Sequence, residues 1–324
     1  MKMTPYPLRL QPAYKDYLWG GDRIPRVFGR DLPPGRYAES WELSARPEGP
    51  SAVANGPLAG RPLADAIALD PRAQLGAGLE KAGLPLLVKI IDARERLSVQ
   101  VHPDDAGAAR HGGEAKTEMW YVLAAEPGAA VWCGLAEGVT RAAFEAAAAS
   151  GHFEPLLRRI PIRPGDAIFV PGGRVHAVGE GALLLETQQN SNTTYRVYDW
   201  GRVGPDGRAR ALHVAEALRT IDWDDRGDPR VKPAVTRAGR NQIARLADGP
   251  HFRVDRVVLG ERWSEMPSGR FRAFFVARGA AALRWENQSE PAAAGTTFFV
   301  PAAVAVTAWD PLDGPAEVIR ITVP

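Results

Sequence analysis

Residues 97–105 read LSVQVHPDD. This stretch is the strongest indication of the fold class, and it contains the first two candidate site residues. Its first six residues alternate apolar and polar side chains, the period of two that is typical of a β-strand with one buried face. Residues two apart on a strand project from the same face, so Gln100 and His102 can point at one site. The Pro-Asp-Asp that follows predicts a turn directly after this strand.

Further strand-like runs indicate a mainly β fold. Short apolar runs occur at 86–91, 119–123, 167–170 and 182–186, and 28 Pro and 33 Gly are spaced between them as turn residues. Helical patterns are fewer and lie near 62–69, 140–150 and 213–220, with Thr140 as a predicted N-cap. We therefore predict a mainly β fold, a sandwich or barrel, with a small helical insertion near 138–160.

A change in composition predicts a domain boundary. The chain becomes polar and Pro-containing near 226–240, and a second series of strand-like runs follows. In that series the turn at 294–296 and the FVPA at 299–302 echo the turn at 164–166 and the FVPG at 169–172. We predict one domain over 1–235 and a degenerate copy of its β unit, without metal ligands, over 236–324.

Composition excludes several classes of function. The formal charge is +2, with 40 basic residues and no block of like charge, so we expect neither nucleic-acid binding nor a polybasic membrane segment. No run approaches the ~20 apolar residues of a membrane span, and residues 1–7 do not resemble a signal peptide. The single cysteine, Cys133, fits a reducing compartment. The sequence thus predicts a cytoplasmic globular protein.

Two more residues complete a candidate metal site. Glu118 opens an aromatic and aliphatic run that is typical of a strand, and His176 follows a Gly172-Gly173 pair that permits a sharp turn. Two imidazoles, a carboxylate and the Gln100 amide oxygen form a plausible ligand set for a divalent metal. The two imidazoles and the carboxylate favour zinc, with at least one position open to water or substrate.

These residues stand in motifs that resemble a known family. The spacing Gly165-x5-Pro171-x-Gly173-x2-His176 matches the second cupin motif, although Glu180 replaces the asparagine that often closes it. The resemblance to type I phosphomannose isomerases, in their short bacterial form, is closer still. It rests on LSVQVHPDD (97–105), KTEMWY (116–121), VPGGRVH (170–176) and NTTYRVYDW (192–200), supported by LWGG (18–21) and ESWELS (39–44).

The resemblance implies a double cupin, or jelly-roll, architecture, with a catalytic cupin domain over 1–235 and a degenerate jelly-roll domain over 236–324. It also implies a function and a set of site residues. The expected reaction interconverts mannose 6-phosphate and fructose 6-phosphate through an enediol, with one Zn²⁺ per chain. The implied metal ligands are Gln100, His102, Glu118 and His176. The implied catalytic residues are Arg196 and Lys116. The implied substrate-binding residues are Ser98, Lys89 and Glu42. Arg196 and Lys116 can stabilise developing charge or bind the phosphate. The catalytic base stays open among a metal-bound water, Lys116 and Glu42.

Two other classes of function compete with this interpretation. A metallocupin of another class, such as a dioxygenase, tends to use three histidines and a glutamate for iron, whereas Gln100 stands here in place of one histidine. A non-enzymatic sugar-binding cupin usually loses metal ligands, whereas this chain keeps four. The cations Lys116 and Arg196 favour phosphate chemistry, so we expect a small sugar-phosphate substrate and a monomer or homodimer.

Overall fold

The computed structural model describes residues 4–204 and 206–324, except for the side chain of residue 149. Residues 1–3 lie outside the described residues. The predicted start of the first domain lies there, as do three of the seven residues from which we expect no signal peptide. Within the described ranges, no helix has the length and the apolar character that crossing a membrane requires.

Strands dominate the structure, as the sequence predicts. In chain order they are β1 (Leu8–Gln11), β2 (Ala13–Lys15), β3 (Glu39–Leu43), β4 (Ala52–Val53), β5 (Leu86–Ala93), β6 (Val99–Val101), β7 (Glu118–Ala125), β8 (Ala130–Leu135), β9 (Leu157–Pro161), β10 (Ala167–Val170), β11 (His176–Val178), β12 (Ala182–Gln189), β13 (Tyr195–Tyr198), β14 (Val235–Ala238), β15 (Asn241–Asp248), β16 (Arg253–Leu259), β17 (Trp263–Glu265), β18 (Arg272–Trp285), β19 (Gln288–Ala293), β20 (Thr297–Val300) and β21 (Thr307–Thr322). The mainly β prediction is confirmed.

Helices are short and lie in the first two thirds of the chain. They are α1 (Arg23–Phe28), α2 (Leu63–Ala68), α3 (Pro71–Leu75), α4 (Asp105–His111), α5 (Arg141–Ser150) and α6 (Val214–Thr220), with 3-10 turns at Gly56–Leu58 and Glu154–Leu156. The predicted cap of α5 is confirmed, because the Thr140 hydroxyl accepts a hydrogen bond from the Ala143 amide at 3.2 Å. Such a cap satisfies one of the amides that a helix start leaves without an intrahelical partner.

Two antiparallel sheets face each other in the first half of the fold. The front sheet has the strand order β10-β7-β12-β5-β3-β2, and the back sheet has the order β13-β6-β11-β8-β9. Apolar side chains of both sheets, among them Ile91 and Trp120 from the front and Val131 and Ile160 from the back, form one buried cluster between them. This is sandwich packing, in which side chains of the two inner faces interdigitate.

A third, larger sheet covers the other face of the front sheet. Its strand order is β14-β15-β16-β21-β18-β20-β1-β4, with β17 beside β21 and β19 beside β18. Leu86, Val88 and Ile90 of β5 pack in one cluster with residues of this sheet such as Phe275 and Ile319. The front sheet is therefore buried on both faces, which explains why β5 is buried along its whole length.

The large sheet draws strands from both ends of the chain. Its strands β14–β21 begin at Val235, close to the predicted boundary, whereas β1 pairs with β20 and β4 pairs with β1. The long strands β18 and β21 bend, with register shifts between Val276 and Ala280, and enclose an apolar cluster of their own. The two-domain division at residue 235 stays a prediction.

Close backbone packing holds the loop before β11. A Cβ added at Gly172 would lie 2.5 Å from the Asp104 Cα and 2.8 Å from the Pro103 carbonyl oxygen. Gly173 has φ +89, in the left-handed region that side chains disfavour. These two glycines therefore let the loop pass directly over the turn after β6, and His176 begins β11 three residues later.

We predict that Gly172→Ala destabilises the fold by about 1–3 kcal/mol, because the added methyl group forces one backbone segment away from another. Gly249→Ala is the matched control, since the nearest atom to its added Cβ is 3.9 Å away. Chemical denaturation of both variants measures the difference in free energy of unfolding. Equal stability of the two variants would contradict this packing argument.

Candidate active site

A row of directly opposed residues crosses the front sheet. Trp41 on β3 pairs with Lys89 on β5, Lys89 pairs with Glu186 on β12, and Glu186 pairs with Trp120 on β7. Because opposed residues of adjacent strands point to the same face, all four side chains project together. We call these four residues the front row.

A second row crosses the back sheet. Arg196 on β13 pairs with Gln100 on β6, Gln100 pairs with His176 on β11, and His176 pairs with Cys133 on β8. Contacts between the sheets show that the rows face each other. The Trp120 and His176 rings meet edge to face, with their centroids 5.4 Å apart. We call these four residues the back row.

Three predicted metal ligands meet between the rows. Ligand atoms of His102, Glu118 and His176 all lie within 4.8 Å of one another, and all three side chains are buried. Glu118 stands two residues before Trp120 on β7, and His102 stands two residues after Gln100, so strand alternation directs both towards the gap. The local pattern read from the sequence thus produces this cluster.

Hydrogen bonds fix the tautomers of both histidines. Nδ1 of His102 lies 2.8 Å from the Thr193 carbonyl oxygen, and Nδ1 of His176 lies 2.9 Å from the Arg174 carbonyl oxygen. A carbonyl oxygen only accepts, so each Nδ1 carries the proton and donates it. In the neutral ring, Nε2 is then left with a lone pair directed at the cluster, which is the form that binds a metal.

Burial keeps these rings neutral. It lowers the pKa of His176 to about 4 and moves the pKa of His102 well below its usual value, with the Lys116 ammonium lowering the latter further. Both imidazoles are therefore uncharged at neutral pH. No proton has to leave Nε2 before a cation can bind there.

Glu118 faces the two imidazoles with a buried carboxylate. Among the described residues no hydrogen-bond donor reaches its Oε1, and its Oε2 has the Lys116 ammonium at 2.9 Å. Oε1 lies 3.4 Å from His176 Nε2, and Oε2 lies 3.7 Å from His102 Nε2. Burial raises the pKa of this carboxyl to about 7, with the nearby Glu186 adding to the shift. The donor set and the unbonded Oε1 fit a divalent metal.

Gln100 lies at the edge of this cluster. Its amide nitrogen is 3.2 Å from His176 Nε2, and its Oε1 accepts a hydrogen bond from Ser98 Oγ at 3.0 Å. The structure therefore brings Gln100 beside the three other ligands with its nitrogen towards them. Ligation through oxygen requires a half rotation of the amide.

Charged side chains of the front row stand next to the cluster. The Lys89 ammonium lies 3.4 Å from Glu186 Oε1, and the Lys116 ammonium lies 3.9 Å from the same oxygen. Glu186 Oε1 is buried and accepts no hydrogen bond from the described residues, whereas Oε2 accepts one from the Trp120 indole at 3.1 Å. Although burial opposes it, the two ammonium groups hold the pKa of Glu186 below its usual value.

A cavity of about 340 Å³ opens between the rows. Its lining includes residues next to the metal cluster, among them Gln100, Lys116 and Glu186. Its lining also includes polar and basic residues, namely Asn192, Thr194, Arg196, Arg210 and His213. The cavity therefore joins a candidate metal centre to two arginines, Arg196 and Arg210.

Of the two arginines that line the cavity, Arg196 is the one predicted from the sequence. It donates to Ser98 Oγ at 3.3 Å and to the Ala211 carbonyl oxygen at 2.9 Å. Among the described residues no carboxylate lies within ion-pair distance of it, and burial lowers its pKa. A half-buried guanidinium without an acidic partner favours an anionic ligand.

Glu42 does not join the other predicted residues. Its carboxylate faces the large sheet, where it pairs with Arg30 at 2.8 Å and accepts a hydrogen bond from Thr297 Oγ1 at 2.8 Å. The reason is strand alternation: Glu39 and Trp41 take the cavity face of β3, so Glu42 takes the opposite face. Glu39 lines the cavity in its place and lies 3.7 Å from the Lys89 ammonium.

Three site residues were missed by sequence reasoning. Glu186 ends an apolar run that we interpreted only as a strand. A charged residue in such a run is a signal for a functional side chain, and it could have identified Glu186. Glu39 lies three residues before the glutamate that we selected. Arg210 is held at the cavity by Asp199, with Nε at 2.8 Å and Nη2 at 2.5 Å from its carboxylate oxygens, and no local pattern indicated this.

Comparisons with known proteins show which proteins this chain resembles. The family model described as phosphomannose isomerase type I, catalytic domain, matches residues 8–129. The mannose-6-phosphate isomerase of Streptococcus mutans is 44% identical over 216 residues, 66% of this chain and 67% of that protein. The Bacillus subtilis protein YvyI is 35% identical over 308 residues, 93% of this chain and 94% of that protein.

A solved structure matches over almost the full length. The crystal structure of the mannose 6-phosphate isomerase from Bacillus subtilis superimposes with a TM-score of 0.89 at 33% sequence identity, covering 98% of this chain and 99% of that one. The cupin-like fold class predicted from the sequence is thereby confirmed.

We predict that the Cys133 thiol does not react in the native protein. It is fully buried in the back row, and burial raises its pKa to about 12, so the reactive thiolate is scarce at pH 8. Titration with Ellman's reagent should find no accessible thiol without denaturant and one thiol per chain in denaturant. Rapid modification of the native protein would contradict the burial of Cys133.

Proposed function

Since this chain belongs to the type I phosphomannose isomerase family and is a mannose-6-phosphate isomerase, we propose that it works with a zinc ion held by His102, Glu118 and His176. Gln100 is the proposed fourth ligand. The observation that carries the proposal is the buried Glu118 carboxylate, whose Oε1 is unbonded among the described residues, clustered with two neutral imidazoles. When bound, the ion supplies Lewis-acid chemistry, polarising the oxygens of the sugar at the carbons that react.

The two alternative functions from sequence analysis are set aside. The relatives that share a third or more of their sequence with this chain include proteins named as mannose-6-phosphate isomerases. A dioxygenase or a non-enzymatic sugar-binding protein does not account for that kinship. The cytoplasmic location and the monomeric or homodimeric state stay predictions.

The reaction moves one proton between neighbouring carbons. A base removes the proton from C2 of the open-chain aldehyde while O1 takes up a proton, which gives the enediol. The base then returns its proton to C1 while the O2 hydroxyl gives up its proton, which gives the ketone of fructose 6-phosphate. Of the bases left open by the sequence, Glu42 lies on the wrong face of β3. Glu186, in contrast, lines the cavity, and its Oε1 accepts no hydrogen bond from the described residues. We therefore assign the proton transfer to Glu186 Oε1, whose lowered pKa keeps it ionised at neutral pH.

Lys116 and Lys89 flank that base. Their ammonium groups lie 3.9 Å and 3.4 Å from Glu186 Oε1, so they keep the carboxylate ionised until it takes the proton. Lys116 also lies 2.9 Å from Glu118, next to the metal cluster. In that position it can donate to the sugar oxygen on which negative charge develops.

The phosphate belongs beside the two arginines of the cavity. Arg196 and Arg210 both line it, and Arg196 has no acidic partner among the described residues. Ser98 links Arg196 to Gln100, because its Oγ accepts from Arg196 Nε and donates to Gln100 Oε1. We favour phosphate binding over charge stabilisation at the reacting carbons as the role of Arg196.

We predict that the purified protein converts mannose 6-phosphate to fructose 6-phosphate and that this turnover is lost after treatment with a chelator. Zinc should restore it, because His102, Glu118 and His176 then regain the cation that joins them. A coupled assay for fructose 6-phosphate, with metal content measured in each sample, provides the test. Full turnover in protein stripped of metal would contradict the metal proposal, and inactivity of zinc-loaded protein would contradict the reaction.

Histidine variants locate the metal in the same experiment. His176→Ala should lose most of the bound metal, whereas the matched control His152→Ala, which changes an exposed histidine, should keep it. Equal metal content in the two variants would remove His176 from the ligand set.

We predict that Arg196→Ala raises the KM for mannose 6-phosphate about 10- to 100-fold and leaves metal content unchanged. The basis is the loss of one charge-assisted contact to phosphate, about 1.5–3 kcal/mol. Arg219→Ala, which removes an exposed arginine of α6, is the control. An unchanged KM with a large fall in kcat would instead place Arg196 at the reacting carbons.

A further inference from the structure

We propose that Trp120 is a positioning residue for the proton transfer: its indole N–H holds the Glu186 carboxylate so that Oε1 faces the substrate. This inference rests on the proposed function of Glu186 and extends it to a residue that neither touches the metal nor exchanges a proton.

The proposal starts from the two oxygens of one carboxylate. Glu186 Oε2 accepts a hydrogen bond from Trp120 Nε1 at 3.1 Å, whereas Oε1 has no hydrogen bond from the described residues. The last side-chain torsion of a glutamate is broad and has no sharp minimum of its own. The indole bond on Oε2 and the ammonium groups of Lys89 and Lys116 near Oε1 together distinguish the two oxygens. Of these contacts, the indole supplies the one directed hydrogen bond, which leaves Oε1 for the cavity.

The register of the sheet makes this bond specific. Trp120 and Glu186 are direct partners between β7 and β12, and Lys89 is the partner of Glu186 on its other side. The base is thus held between a neutral donor on one strand and an ammonium group on the next. At the far end of the front row, Trp41 lies under the Lys89 ammonium, 5.2 Å from its ring centroid.

An indole suits this task because it only donates. It has no acceptor atom and carries no charge, so it can neither take the proton from Glu186 nor form an ion pair that would lower the basicity of the carboxylate further. A lysine or arginine at position 120 would add a third cation beside Lys89 and Lys116. The indole orients the base without adding a charge, and its hydrogen bond lowers the pKa of Glu186 less than either ammonium group does.

Trp120 also reaches the metal cluster. Its ring is buried and packs edge to face against His176, with centroids 5.4 Å apart and the planes at 73°. One rigid side chain therefore contacts the proposed base through its N–H and a proposed metal ligand through its ring. Such a bridge fixes the base relative to the metal, and proton transfer is sensitive to that relative position.

The test compares Trp120→Phe with Trp309→Phe, both in zinc-loaded protein. Trp309 is a matched control, since it is fully buried, lies in the cluster of the large sheet, and its indole N–H has no hydrogen bond partner among the described residues. We expect Trp120→Phe to lower kcat about 10- to 100-fold with KM changed less than about twofold. Trp309→Phe should retain wild-type kinetics.

An isotope effect separates positioning from a general structural role. With mannose 6-phosphate deuterated at C2, the isotope effect on kcat should be larger in Trp120→Phe than in the wild type, because proton transfer becomes the slower step. Wild-type kcat and an unchanged isotope effect in Trp120→Phe would overturn the proposal. Inactivity of the zinc-loaded wild type would instead overturn the proposed function, so the two failures are distinguishable.

If Trp120→Phe loses its metal or does not fold, a second variant still tests the proposal. Replacement of Trp120 by β-(3-benzothienyl)alanine keeps the bicyclic shape against His176 and exchanges only the N–H for sulfur. Lowered kcat with full zinc content in this variant supports the hydrogen bond as the cause. Wild-type kcat in this variant would assign the whole effect of Trp120 to packing and refute the proposal.

Discussion

The fold depends on a pair of opposite charges in the middle of a doubly buried sheet. Lys89 and Glu186 are direct cross-strand partners between β5 and β12, and the front sheet is covered on one face by the back sheet and on the other by the large sheet. Isolated charges at such depth are strongly destabilising unless they are paired. The register of β5 against β12 is thus tied to the chemistry of the site, because a slip of β5 by one residue turns Lys89 to the apolar face and leaves Glu186 without its partner.

That register also places the remaining groups. The register places Trp41 and Trp120 on either side of the charged pair, and Glu118 lies two residues before Trp120 on β7. The back row then supplies Gln100 and His176 from the opposite sheet. The proposed metal ligands, the proposed base and Arg196 lie at one cavity because two short rows of side chains face each other.

Much of this site could be predicted from the sequence. Gln100 and His102 were predicted from local alternation, and His176 from the glycines before it, because each signal lies within a few residues. Glu42 shows where such reasoning ends. Glu39 and Glu42 stand in the same short strand, and the choice of the face that meets the cavity is made by Arg30 and by Thr297, which lies 255 residues away along the chain. No local pattern contains that contact.

The large sheet contributes to the site from a distance. It carries no proposed ligand, yet it buries the second face of the front sheet and holds β3 through the contact between Glu42 and Thr297. The same burial excludes water from the far side of Lys89 and strengthens its attraction to Glu186. The large sheet acts as a rigid support on which the front row is aligned.

The measurement that tests the account most directly is anomalous diffraction at the zinc edge from crystals of the zinc-loaded protein. We predict a single strong peak between the two rows, about 2.0–2.2 Å from Nε2 of His102, Nε2 of His176 and an oxygen of Glu118. Rotation of the Gln100 amide to bring Oε1 to the same peak would complete the ligand set. A zinc peak elsewhere in the molecule, with the cluster between the rows empty, would contradict the account.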